Sequence, residues 1–197
     1  AWTLSEITEE LAKETRRTEC AGVSFEVSFS LASRVLRSLE EELLVMRRIS
    51  AVLGPEPRRV LTTWSQEYKD RSRWYLRRSF KVPNPFGPGL KAVRQALDGL
   101  LKPRCYAFTG AAAASVSAPF VDADPIDLFI SDEAGEENLR AYISGTSLGP
   151  DLRIIYAYDA GVFMYSSLSE GISIVSDIQA YLDLFARGGR DLKQAEY

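Results

Sequence analysis

Leu4, Ile7, Leu11 and Ala12 recur at helical spacing behind Thr3, and Glu6 follows that threonine at the interval of a capping box, which predicts a helix over residues 4–15. Residues 16–27 contain Gly22 and lose this period. Val23, Phe25, Val27 and Phe29 alternate with polar residues there, and the stretch reads as an enlarged turn. A second helical stripe begins after Ser28, with Leu31, Val35, Leu36, Leu39 and Leu43 on or beside one face and Ser30, Ser33, Arg34 and Arg37 on the other. It runs into a strand-like segment over residues 44–49. Gly54, Pro55 and Pro57 break the pattern, and Val60, Leu61, Trp64 and Tyr68 then mark the apolar side of a helix from Arg58 to Tyr68 or Trp74.

Residues 82–89, VPNPFGPG, concentrate proline and glycine and read as a linker. Beyond them Leu90, Val93, Leu97 and Leu100 or Leu101 predict a helix, and YAFT followed by Gly110 and AAAAS predicts a strand turning into a close-packed helix. Residues 126–130 read as a buried strand and 136–143 as a short helix. Residues 152–158 and 162–165 read as strands joined by a hairpin at Asp159-Ala-Gly161. A further apolar stretch covers 171–175, and Ser176 caps a last helix with Ile178, Tyr181, Leu182 and Phe185 inward, ended by Gly188-Gly189. The expected class is α+β, with a winged helix-turn-helix and a basic helical extension over 1–81, a linker over 82–89 and a mixed α/β domain over 90–197.

Charge sharpens this division. Residues 1–81 carry 15 Lys plus Arg against 12 Asp plus Glu, a balance of +3, and the remainder carries 9 against 15, or -6. Ten basic residues and three acids lie between Arg47 and Lys81, a patch suited to neutralising phosphates. The competing reading is a solvated basic surface packed on the acidic second domain. No apolar run is long enough for a membrane span and the start is polar, so a cytoplasmic location is expected.

With no histidine, Ser-His-Asp and Cys-His pairs and imidazole metal ligands are excluded. Cys20 and Cys105 are too few for a disulfide framework or a zinc site, and both read as reduced, buried thiols. No metal or cofactor is expected. Trp2, Trp64 and Trp74 read as core or domain-interface residues.

On the second helix, Arg34 and Arg37 have the forked donors that read base edges in a major groove. Ser28, Ser30, Ser33, Arg47 and Arg48 are placed to position phosphates. Glu40, Glu41 and Glu42 would be repelled by phosphate, which confines contact to the first two turns. An enzymatic alternative is nucleotidyl transfer, which needs a glycine turn ahead of paired carboxylates that hold divalent metals. Gly110-Ala111 precedes Asp122-Ala-Asp124 at a suitable interval, but Pro125 puts that pair in a loop and the better strand carries only Asp127. The reading is therefore a binding domain, not an enzyme, sharing at most a nucleotidyltransferase-like fold.

The tail, VSDIQAYLDLFARGGRDLKQAEY, and the middle segment YAFTGAAAAS resemble the abortive-infection type IV antitoxin family of AbiEi-like transcriptional regulators. The resemblance implies a repressor that binds operator repeats in double-stranded DNA through its N-terminal domain and counters a cognate nucleotidyltransferase-type toxin. It draws attention to Gln179, Tyr181, Asp183, Gly188 and Arg190. In that motif Gln179, Asp183 and Arg190 read either as an exposed polar set for a partner or, for Gln179 and Asp183, as hydrogen-bonded ties between helix and sheet. One departure is Glu41-Glu-Leu-Leu-Val45, which lacks the glycine common at the end of a recognition helix.

Overall fold

The computed structural model describes residues 2–17, 27–48, 51–54, 56–102, 104–117, 123–131, 137, 139, 148–189, 191, 193 and 195. Helix α1 (Leu4–Arg17) starts at the expected box: Thr3 N–H donates to Glu6 Oε2 at 2.7 Å and Glu6 N–H to Thr3 Oγ1 at 3.2 Å. Helix α2 (Phe29–Glu41) packs on α1 and leads into an antiparallel hairpin of β1 (Met46–Arg48) and β2 (Ala51–Leu53). Trp2 adds one antiparallel bridge to Val52, so the chain start lies along the hairpin edge.

The buried stripe of α2 centres on Ala32 and Leu36, with Leu31 and Leu39 half-buried. Val35 and Leu43, expected inside, are exposed. With the contact centred on Ala32 and Leu36, the 100° spacing of a helix places Val35 on its flank.

The second assembly has an α+β core built on a six-stranded sheet ordered β3 (Ser79–Val82), β6 (Leu152–Tyr156), β5 (Ile126–Ile130), β4 (Tyr106–Thr109), β8 (Ile172–Ile174), β7 (Ser167–Ser169). Strands β5–β6 and β4–β8 pair in parallel, and the other neighbours are antiparallel. All five residues of β5 are buried, as a strand covered on both faces requires. Helix α4 (Leu90–Leu100) buries Val93 and Leu97 in the core they share with Phe108, Leu128 and Ile154. Helix α5 (Gly110–Ser117) follows β4 directly, and α6 (Asp177–Arg187) packs between α5 and the long α3 (Pro57–Tyr75).

Three expectations change here. The division at residues 82–89 does not coincide with a break in packing, because α3 rests on α6 and β3 pairs with β6. Asn84 is fully buried in that stretch: its side chain donates to Gly87 O at 2.8 Å and accepts from Phe86 N–H at 3.0 Å, and its carbonyl accepts from Leu148 N–H. The expected strand over 162–165 is a 3-10 turn, Ala160–Phe163, because Asp159 accepts from Gly161 N–H at 2.6 Å and caps it. The hairpin lies later, with Glu170 and Gly171 at φ 50° and 79° joining β7 to β8.

The tryptophans are not core: Trp2, Trp64 and Trp74 are each about half exposed. Ser65 and Tyr68 take the buried positions of α3 instead. Cys105 is disulfide-bonded and not a free thiol, while Cys20 lies outside the described residues. So does most of the helix expected over 136–143, of which Leu139 is described as helical and fully buried. No helix among the described residues is long and apolar enough to cross a membrane.

Candidate functional site

The first candidate surface is built by α2 and the hairpin. Ser28 caps α2, its Oγ accepting from Leu31 N–H at 3.2 Å and lying 3.0 Å from Ser30 Oγ. The cap satisfies a backbone donor and sets the helix start, so Ser28 spends its side chain on structure. At 100° per residue, Ser30, Arg34 and Arg37 share the face opposite Ala32 and Leu36, and all three are exposed. Among the described residues Arg34 and Arg37 have no hydrogen-bond or ion-pair partner, which leaves their donors to solvent or a ligand. Ser33 is half-buried at the edge of this face.

Glu40, expected to repel phosphate, has an internal role. Its Oε1 accepts from Arg47 N–H at 3.1 Å and ties the helix to β1. Arg48 is exposed and Arg47 half-buried on that strand. The structure thus gathers Ser30, Arg34 and Arg37 on one helix face and sets Arg47 and Arg48 on the hairpin that follows it. The basic residues of α3 remain exposed although the helix packs on α6. Beyond α3, the Arg78 guanidinium lies 4.5 Å from the Tyr156 ring centre.

The second candidate lies inside the sheet assembly, and it decides between the two readings of Gln179 and Asp183 in favour of hydrogen-bonded ties. Gln179 and Asp183 are 8% and 7% exposed. Tyr68 OH donates to Asp183 Oδ1 at 2.6 Å and Thr109 OH to Oδ2 at 2.5 Å. Gln179 Nε2 donates to both Asp183 Oδ2 and Tyr68 OH, at 3.2 and 3.1 Å. One carboxylate therefore joins α3, α6 and β4. Burial pushes the Asp183 carboxyl up to about 6, against the three hydrogen bonds that favour its ionised form. Burial and the Asp183 charge push the Tyr68 hydroxyl up as well, so it stays a donor.

Of the other motif residues, Tyr181 is half-buried with its ring stacked on Phe185, and Gly188 ends α6 at φ 69°. Arg190 lies outside the described residues.

Beside this hub a second buried acid is held differently. The sheet register aligns Thr109, Asp127 and Arg153 across β4, β5 and β6, so these side chains share one face. Arg153 Nη2 and Arg187 Nη1 both donate to Asp127 Oδ2, at 2.7 and 2.5 Å, and Asp127 is 1% exposed. Burial raises the Asp127 pKa while the two guanidiniums lower it. Gly110 is part of the same corner: it sits at φ +55°, and a Cβ there would stand 3.3 Å from Asp127 Oδ2.

Asp127 is thus the carboxylate that faces the glycine turn. Asp124 lies exposed in a bend and Asp122 lies outside the described residues. Among the described residues no group of three His, Cys, Asp or Glu side chains could hold a metal ion. Sequence reasoning noted Asp127 but not Arg153 or Arg187, and the alternation of a strand does not by itself reveal which arginine meets which acid.

No family model, curated protein or solved structure matches this chain.

Proposed function

We propose that this protein is a DNA-binding regulator in which α1, α2 and the β1–β2 hairpin form a winged helix-turn-helix. The observation that carries the reading is the outer face of α2, where Arg34 and Arg37, on the second and third turns of a capped helix, stand exposed and without a partner among the described residues, ahead of a hairpin bearing Arg48. A forked guanidinium in that position suits bidentate contact with guanine in a major groove. Ser30, Ser33, Arg47 and Arg48 would hold the adjoining phosphates, as would Ser28 with whatever its cap leaves free.

The remainder we read as a binding module that shares at most a nucleotidyltransferase-like fold. The acid facing the glycine turn is shared by two arginines, whereas metal-dependent nucleotidyl transfer needs paired carboxylates free to hold cations. The resemblance of the tail to type IV antitoxins supports an autorepressor that counters a cognate toxin. With Gln179 and Asp183 buried, toxin contact would have to use other residues.

Gel-shift titration on an operator selected from random duplexes tests the reading. Arg37→Ala should weaken specific binding by about 1–3 kcal/mol while nonspecific binding changes little. Equal affinity in a variant with unchanged circular dichroism would overturn it.

A further inference from the structure

Between α1 and the sheet assembly, on the α4 side of β4, lies a cavity of about 570 Å³, a volume ordinary for small-ligand sites. Its walls come from both halves of the chain: Glu14 and Arg17 from α1, Arg94 and Asp98 from α4, Arg104 and Tyr106 ahead of and at the start of β4, and Phe163 and Tyr165 from the segment before β7.

The charges in it are unequally matched. Glu14 is paired by Arg17 at 2.6 Å. Asp98 takes the Tyr106 hydroxyl at 2.5 Å and lies 2.8 Å from Arg94 Nε, whose N–H is not aimed at it. Three guanidiniums therefore face two carboxylates, and Arg104 has no partner among the described residues. Arg94 is laid flat: its Cζ, Nη2 and Nη1 stand 3.6, 3.6 and 3.7 Å from where a Gly171 Cβ would be, so the guanidinium plane faces the glycine and its terminal donors point along the cavity wall. A Cβ at Gly171 would rest against it in ordinary van der Waals contact.

Arg104 and Tyr165, both lining residues, adopt left-handed backbone at φ 62° and 57°, conformations that are strained in a non-glycine residue. Phe163 and Tyr165 supply an aromatic wall to a cavity that the guanidiniums also line. Paired forked donors select phosphate over a simple monoanion, and the aromatic wall together with the volume accommodates a planar ring attached to it.

We infer that this cavity binds a small phosphorylated ring compound of the nucleoside monophosphate class, with Arg94 and Arg104 holding the phosphate and Tyr165 covering the ring. Because α1 contributes one wall, the bound molecule would bridge the two halves of the chain. The inference does not depend on DNA binding.

Isothermal titration of the full chain with AMP, GMP, CMP and UMP tests it, with inorganic phosphate and adenosine as separate arms. At least one monophosphate should bind saturably and at least about tenfold more tightly than either inorganic phosphate or adenosine. Arg104→Gly is the informative variant, since glycine accepts φ 62° without strain and the fold should be retained or strengthened. It should weaken that binding by about tenfold or more, with an unchanged or higher melting temperature. Absence of saturable binding by all four monophosphates would overturn the proposal. So would equal affinity for phosphate or adenosine alone, or undiminished affinity in Arg104→Gly.

Discussion

Asp183 should make this protein more stable in mild acid than at neutral pH. Its carboxyl is pushed up to about 6 in the folded chain, from an ordinary value of 3.8, because burial opposes ionisation more than Tyr68, Thr109 and Gln179 favour it. A group whose folded pKa is raised binds its proton more tightly in the folded state. Stability is then greatest below the unfolded pKa and falls as pH rises from about 4 to about 6. The full difference of roughly two pKa units corresponds to about 3 kcal/mol, of which about 2 kcal/mol should be visible between pH 7.5 and pH 4.5.

Asp127 titrates in the same direction, so the wild-type slope alone does not isolate Asp183. Asp183→Asn does, because the amide keeps the shape and one acceptor but cannot ionise. Urea denaturation of both proteins across this pH window should give curves that diverge by about 2 kcal/mol, or roughly 4–8 °C if read as melting temperature. Parallel curves, or a wild type that loses more stability than the variant on acidification, would refute the argument that this carboxylate is ionised and buried at neutral pH.

Other consequences can be measured alongside. Arg187→Ala removes one of two guanidiniums from Asp127 and leaves Asp191 without its 3.0 Å partner, so it should cost about 1.5–3 kcal/mol in urea denaturation, with no gain from high salt because the site is buried. Ser28→Ala deletes the α2 cap and should cost about 1 kcal/mol, whereas Ser28→Asp should be close to neutral for folding but should weaken duplex binding through charge repulsion. Reducing the disulfide at Cys105 should lower stability by about 2–4 kcal/mol, measured by thermal melts with and without a thiol reductant.

Much of the local structure is legible in the sequence because it depends on residues three or four apart. The Thr3–Glu6 box, the serine caps of α2 and α6, the left-handed exit at Gly188 and the buried strands β4 and β5 all follow from such spacings. Where the local signal failed, a short-range competitor was present. Asp159 offers Gly161 a cap and yields a 3-10 turn where the apolar run suggested a strand, and the α2 contact centres on Ala32 and Leu36, which leaves Val35 exposed on its flank. The exposed arginines of α2 were equally readable, since a polar helix face needs no partner to define it.

The interior chemistry needed the tertiary structure. Tyr68 and Asp183 are 115 residues apart, Thr109 and Asp183 74, and Arg187 and Asp127 60. Nothing in either neighbourhood specifies those meetings. They arise because β5 pairs between β4 and β6, bringing Thr109, Asp127 and Arg153 into one row, and because α6 crosses above that row with its acid and its arginine pointing down. The sequence by itself determined which segments are helices and strands and which charges lie on an open helix face. Only the folded chain decided that Gln179 and Asp183 of its tail are buried ties and not a surface, since burial is a property of the whole packing and not of any window of residues.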